Sequence, residues 1–210
     1  MGLLQTLNDN QRAELSALTN PVEIQAFLDS IPYDGSDLNR TPLRVVQERA
    51  CHCLDGGMLA AALLSQVGHP PLLIDLVPVP GIDDDHVLAI YQQNGLWGAV
   101  AKSNFTGLRY RDPVYRSLRE LVMSYFEVFY NADGIKTLRG YTRPLDLRQF
   151  DSSDWQTSQN GTDKVVARLY KLSPIPVVPN SSIPFIARLD QRSYEVGFIG
   201  VNRDGLYKPH

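Results

Sequence analysis

Two residues carry the chemistry that this sequence suggests, Cys53 and His86. Cys53 opens an apolar run, residues 53–67 (CLDGGMLAAALLSQV), that reads as a helix buried nearly all round. A thiol attacks carbonyl carbon only as thiolate, and a free pKa near ~8.5 leaves little thiolate at neutral pH. A helix N-terminus lowers that value through its unpaired N–H groups and the positive end of the dipole. An imidazole partner takes the thiol proton and returns it to a leaving amine. His86 begins a second apolar segment, with Leu88 and Ile90 two and four residues along, so strand alternation places it on an apolar face. Cys51, two residues before Cys53, reads as a small buried hydrophobe.

The elements that must position this pair are legible in outline. Residues 6–18 give a weak helical pattern, and Asn20-Pro21 and Thr41-Pro42 each pair an N-cap with a first-turn proline. After Gly68-His69-Pro70-Pro71, LLIDLVPV predicts a strand, and residues 81–85 an acidic, solvated turn. His86 to Tyr91 and Leu96 to Lys102 predict a hairpin closed by Gln93-Asn94-Gly95. Leu118, Leu121, Val122, Tyr125, Phe126 and Phe129 predict one amphipathic helix over 116–130. Residues 151–163 are polar, and strand-like patterns follow at 165–170, 184–189 and 194–201 among several prolines. The expected fold is therefore α+β: a core over 1–150 in which a central buried helix packs on an antiparallel sheet, and a small β-rich extension over 151–210.

Taken together, these motifs resemble the transglutaminase-like superfamily, relatives of papain-type cysteine proteases. Cys53-Leu54-Asp55 is similar to its Cys-x-Asp/Glu motif, and Leu63-Leu64-Ser65-Gln66-Val67-Gly68 to its Leu-Leu-x-x-x-Gly helix end. Asp85-His86-Val87-Leu88-Ala89 matches its histidine strand, and Trp97 the tryptophan of the return strand. The pattern through Arg111-Asp112-Pro113-Val114-Tyr115 resembles a bacterial transglutaminase-like group of unassigned function. The resemblance covers about half of the chain. It implies a third catalytic residue, an Asp four positions after the Trp and followed by Pro. Here Ala101 and Lys102 occupy those positions. Asn104 is the candidate replacement through its amide oxygen, with Asp112 further off.

The remaining motifs point to less. Cys51-His52-Cys53 lacks the second ligand pair of a zinc site, and Asp83-Asp84-Asp85 lacks the glycine and distal glutamate of a calcium loop, so neither metal nor cofactor is expected. The acidic turn should raise the pKa of His86. Basic and aromatic residues mix over 102–119, where Arg109 and Arg111 are candidates to hold a substrate carboxylate. A net charge of -3 and a pI near 5.8 speak against nucleic acid as a partner. The uncharged stretch 56–74 is broken by Gly68 to Pro71 and reads as helix, turn and strand rather than a membrane span. Met1 to Asn10 does not read as a signal peptide, and two cysteines two residues apart offer no disulfide framework, so a cytoplasmic, reducing setting is expected. The function these observations favour is a cysteine-dependent hydrolase or acyltransferase acting on a peptide, protein or small amide. Ala101 motivates the alternative, a non-catalytic domain that binds a peptide or protein. The sequence does not reveal the oligomeric state.

Overall fold

The computed structural model describes residues 2–207. Its N-terminal third is helical: α1 (Leu3–Thr6), α2 (Asp9–Ser16), α3 (Pro21–Asp29) and α4 (Pro42–Glu48). Both proline-marked starts form as read. Asn20 Oδ1 accepts the Val22 and Glu23 N–H groups, and Thr41 Oγ1 accepts that of Arg44. Helix α5 (Cys53–Gln66) follows, buried continuously from Leu54 to Leu64.

The sheet is antiparallel throughout. It contains β1 (Leu72–Pro78), β2 (His86–Gln93), β3 (Leu96–Val100), β4 (Arg111–Tyr115), β5 (Leu138–Tyr141), β6 (Leu145–Asp146) and β7 (Ile175–Pro176). The order is β4-β3-β2-β1-β5-β7, with β6 also on β1. Asn94 and Gly95 take φ of 52° and 78°, the left-handed pair that a two-residue hairpin turn between β2 and β3 requires.

Alternation along β2 divides the core. Val87, Ala89 and Tyr91 pack on the α5 side, in the apolar cluster that α5 shares with α3 and α4, while Leu88 and Ile90 face a second apolar layer. That second layer is supplied by α6 (Leu118–Met123) and the residues after it, chiefly Leu121, Val122, Tyr125 and Phe129. Covering both faces explains why β2 is buried from His86 through Tyr91 without polar interruption.

Two expectations are corrected. The single helix over 116–130 is divided: α6 ends at Met123, and a 3-10 turn occupies Phe126–Val128. Ser124 Oγ donates to Leu121 O and accepts from Arg111 Nε, which spends the turn on side-chain bonds. The periodicity persisted because both pieces press on the same sheet face. Residues 151–207 are mainly helical rather than β-rich. They form α7 (Gln159–Leu169), a 3-10 turn at Asn180–Phe185, α8 (Gln191–Gly197) and the two-residue β7. Val165 and Leu169, read as strand, are i and i+4 on α7 and join Trp155 in the core beside α5. No helix among the described residues is long and apolar enough to cross a membrane.

Candidate functional site

Cys53 is the first residue of α5, and His86 is the first residue of β2. By alternation His86 belongs to the sheet face opposite α5. Each stands at the end of its element, which lets residues from opposite faces reach the same cavity. Both open on one cavity of about 330 Å³, whose wall also includes Tyr33, Asp85, Asn104 and Leu108. A second cavity of about 500 Å³ shares Tyr33, Cys53, Asp84 and Asp85 with it, so Cys53 stands where the two adjoin.

The approach of α5 to the sheet depends on two glycines in its first turns. A β-carbon on Gly57 would stand 3.0 Å from Val87 Cγ1; one on Gly56 would overlap Lys102 Cβ and stand 3.1 Å from Lys102 Cγ. Lys102 is itself buried, and its ammonium donates to Leu28 O at 3.0 Å and to Ile31 O. Just before it, the Gln25 amide clamps the backbone of Ala101: Nε2 donates to Ala101 O and Oε1 accepts Ala101 N–H, both at 3.0 Å. Positions 101 and 102 therefore join α3 to β3 rather than face the imidazole.

The hydrogen bonds define the protonation state of His86. Nε2 lies 2.7 Å from Leu108 O. A carbonyl only accepts, so in the neutral ring Nε2 carries the proton and Nδ1 is the free base. Burial lowers the His86 pKa to about 4, against the rise expected from the acidic turn. Cys53 Sγ points at Asp85 O, 3.8 Å away, and no hydrogen bond joins it to His86 among the described residues. Burial, then the Asp85 carboxylate, pushes the Cys53 thiol well above its ordinary range. The resting pair is thus a neutral thiol and a neutral imidazole. Cys51 is fully buried and its thiol is pushed up to about 12, also by burial.

The other candidates are placed elsewhere. Asn104, expected to orient His86, spends its amide on another segment. Nδ2 donates to Asn202 O at 2.8 Å and Gly205 O at 3.3 Å, and Oδ1 accepts Asn202 N–H at 2.8 Å. The orienting acceptor is the Leu108 carbonyl, which no side-chain pattern could reveal. Arg111 is not free for a substrate carboxylate: it bonds Ser124 Oγ, Tyr110 O, Gly107 O and Ser124 O, and stacks 3.9 Å from the Tyr125 ring centre. Arg109 pairs with Asp29 at 3.5 Å, and neither arginine lines the Cys53 cavities.

The acidic turn is solvated in part: Asp84 is exposed, while Asp83 and Asp85 are half-buried. Burial raises Asp84 to about 6 and Asp85 to about 7, with Asp75 close by, itself at about 6. Tyr33, Asn131 and residues 205–207 also line the site and gave no signal in sequence. No group of three or more His, Cys, Asp or Glu residues suited to a metal ion occurs among the described residues. Asp55, the acidic residue of the Cys-x-Asp motif, is structural: buried in α5, it accepts Arg40 N–H at 2.7 Å and lies 3.5 Å from His52 Nε2.

No family model matches the sequence, and no curated protein matches it. Among solved structures, EGTA-treated LapG of Legionella pneumophila is similar over 48% of this chain and 66% of that one, at 14% identity and a TM-score of 0.36. A likeness that weak leaves the site to be read from its own residues.

Proposed function

We propose that this protein is a transglutaminase-like cysteine hydrolase or acyltransferase acting on amide bonds, with Cys53 as nucleophile and His86 as its proton acceptor. The observation that carries this reading is the shared cavity, entered by a helix-N-terminal thiol and by an imidazole whose Nε2–H is already held by Leu108 O. With Nε2 occupied, Nδ1 takes the thiol proton as sulfur adds to the carbonyl carbon. The imidazolium then returns that proton to the leaving amine, giving a thioester that water or a second amine resolves. His52 makes no side-chain cap on α5, so the first-turn N–H groups remain to hold the developing oxyanion. No metal or organic cofactor enters this scheme. Resting as a neutral pair, the site ionises only as the substrate carbonyl draws the sulfur in.

The test is the pH profile of Cys53 alkylation by iodoacetamide, followed by mass spectrometry. An unassisted thiol gains about tenfold in rate per pH unit below its pKa, because only thiolate reacts. With His86 as base, the rate is nearly flat from about pH 5 to 8. His86→Ala then lowers it by about 10²–10⁴ at pH 6, the usual worth of a positioned base. Equal rates and equal slopes in the two proteins would sink the catalytic reading. They would favour the alternative, a peptide-binding domain, to which the resting thiol contact with Asp85 O lends support.

A further inference from the structure

One wall of both cavities at Cys53 is built by a segment far away in sequence. Gly205, Leu206 and Tyr207 line both of them, and the path of this segment is fixed by contacts of unusual specificity. Asn104 grips the backbone of Asn202 by both its N–H and its carbonyl, and reaches on to Gly205 O. The Asn202 amide donates in turn to Tyr33 O at 3.3 Å. Gly35 and Gly205 cross in contact: a β-carbon on Gly35 would overlap Gly205 Cα, and one on Gly205 would stand 3.0 Å from the Tyr33 ring. Upstream, Phe198 is packed edge-on against Phe105, ring centres 5.3 Å apart, which delivers the segment to the groove. Asn104 is buried, and every one of its bonds to the segment goes to main chain.

We propose that the groove along Tyr33, Gly35 and Asn104 is a polypeptide-backbone subsite of the Cys53 cleft, held in this structure by the protein's own residues 202–207. This rests on the reading of Cys53 as nucleophile for its catalytic meaning, though not for the docking itself. A clamp that binds N–H and C=O of one residue recognises main chain, here the extended Asn202 that leads into a 3-10 turn at Arg203–Gly205, whereas a small amide lacks the paired groups. The Tyr33 ring adds a requirement: a β-carbon on the residue at the Gly205 position would stand 3.0 Å from it, leaving no room for a branched side chain. The substrate class is therefore a polypeptide with a glycine three residues after the clamped one. Residues 202–207, with Asn202 and Gly205, satisfy that rule and compete with substrate from within.

The experiment compares Cys53 alkylation in the full chain, in Gly205→Val and in Asn104→Ala, with folding checked by circular dichroism. Gly205→Val expels the segment and leaves the groove intact; Asn104→Ala removes the clamp. Both should raise the alkylation rate on the order of tenfold, the effect of losing one or two hydrogen bonds on local opening. Added peptide Gly-Val-Asn-Arg-Asp-Gly-Leu-Tyr should restore slow alkylation in Gly205→Val and fail to do so in Asn104→Ala. The same peptide with valine for its second glycine should protect neither. Unchanged rates in both folded variants, or equal protection by the two peptides, overturn the proposal. Repeating the series with His86→Ala separates the two readings. Loss of the His86 effect with a persisting ratio between variants refutes catalysis alone, and the converse refutes the subsite alone.

Discussion

Replacing Gly56 by alanine sets two effects of opposite sign against each other. Gly56 is interior to α5, where alanine is favoured over glycine by about 1 kcal/mol. Against that, the new methyl would overlap Lys102 Cβ, and would stand 3.1 Å from Lys102 Cγ and 3.5 Å from Cys51 Sγ. An exposed lysine would swing aside. Lys102 cannot, because its ammonium is held by Leu28 O and Ile31 O and the preceding peptide by Gln25. Overpacking of this kind costs about 1–3 kcal/mol. Relief by moving Lys102 would sacrifice charge-assisted bonds worth about 1.5–3 kcal/mol each. The steric side wins: with overpacking at the upper end for so close an overlap, less the alanine gain, Gly56→Ala should destabilise by about 1–2 kcal/mol. For a chain of this size that lowers the melting temperature by about 2–8 °C in a thermal circular dichroism scan. Gly57→Ala is the internal control: its methyl meets the Val87 side chain at 3.0 Å, a smaller conflict, and its loss should be clearly less. A Gly56→Ala protein as stable as the parent, or more so, would refute the claim that α5 and the end of β3 are locked together here.

Other expected outcomes concern charge. Asp55→Ala leaves the buried Arg40 N–H without its acceptor, while the guanidinium keeps Asp34 and Glu48, and should cost about 1–3 kcal/mol in urea unfolding. Asp55→Asn keeps an acceptor for Arg40 N–H and should lose less. The folded values of Asp75, Asp84 and Asp85, raised by burial to about 6, 6 and 7, mean that their stabilising, protonated form is complete below about pH 4 and lost as pH rises through 6–7. His86 acts oppositely: lowered to about 4, it contributes fully above about pH 6.5, and that contribution disappears as pH falls through 4. Three carboxylates outweigh one imidazole, so melting temperature should fall from about pH 4 to 7, and Asp85→Asn should raise it at pH 8 relative to the parent. A parent curve that climbs steadily from pH 5 to 8 would contradict the carboxylate limb.

How much of this was legible in sequence depended on whether the signal was local. The two proline-marked helix starts, the buried run of α5 and the Asn94-Gly95 hairpin each announce themselves within a few residues, and each forms. Residues 165–170 misled because Val165 and Val166 favour strand, while the deciding evidence was Ser158 capping α7 and the four-residue spacing to Leu169. The acidic turn is solvated at Asp84, as three adjacent aspartates suggest. Only the fold brings buried Asp75 beside half-buried Asp85. Of the candidate site, Cys53 and His86 came from their places at element starts. The partner of His86 was sought among side chains, at Asn104, and lies instead in main chain at Leu108.

That last feature bears on how such a site tolerates change. A carbonyl at position 108 is supplied by all twenty amino acids, so scanning substitutions would register two participants and stay silent on the third. What the imidazole depends on is the course of the loop from 103 to 109, held by the 3-10 turn at Thr106–Leu108 and by Arg111 bonding back to Gly107 O. Insertions or deletions in that loop, rather than replacements, are the changes to which the orientation of His86 is vulnerable.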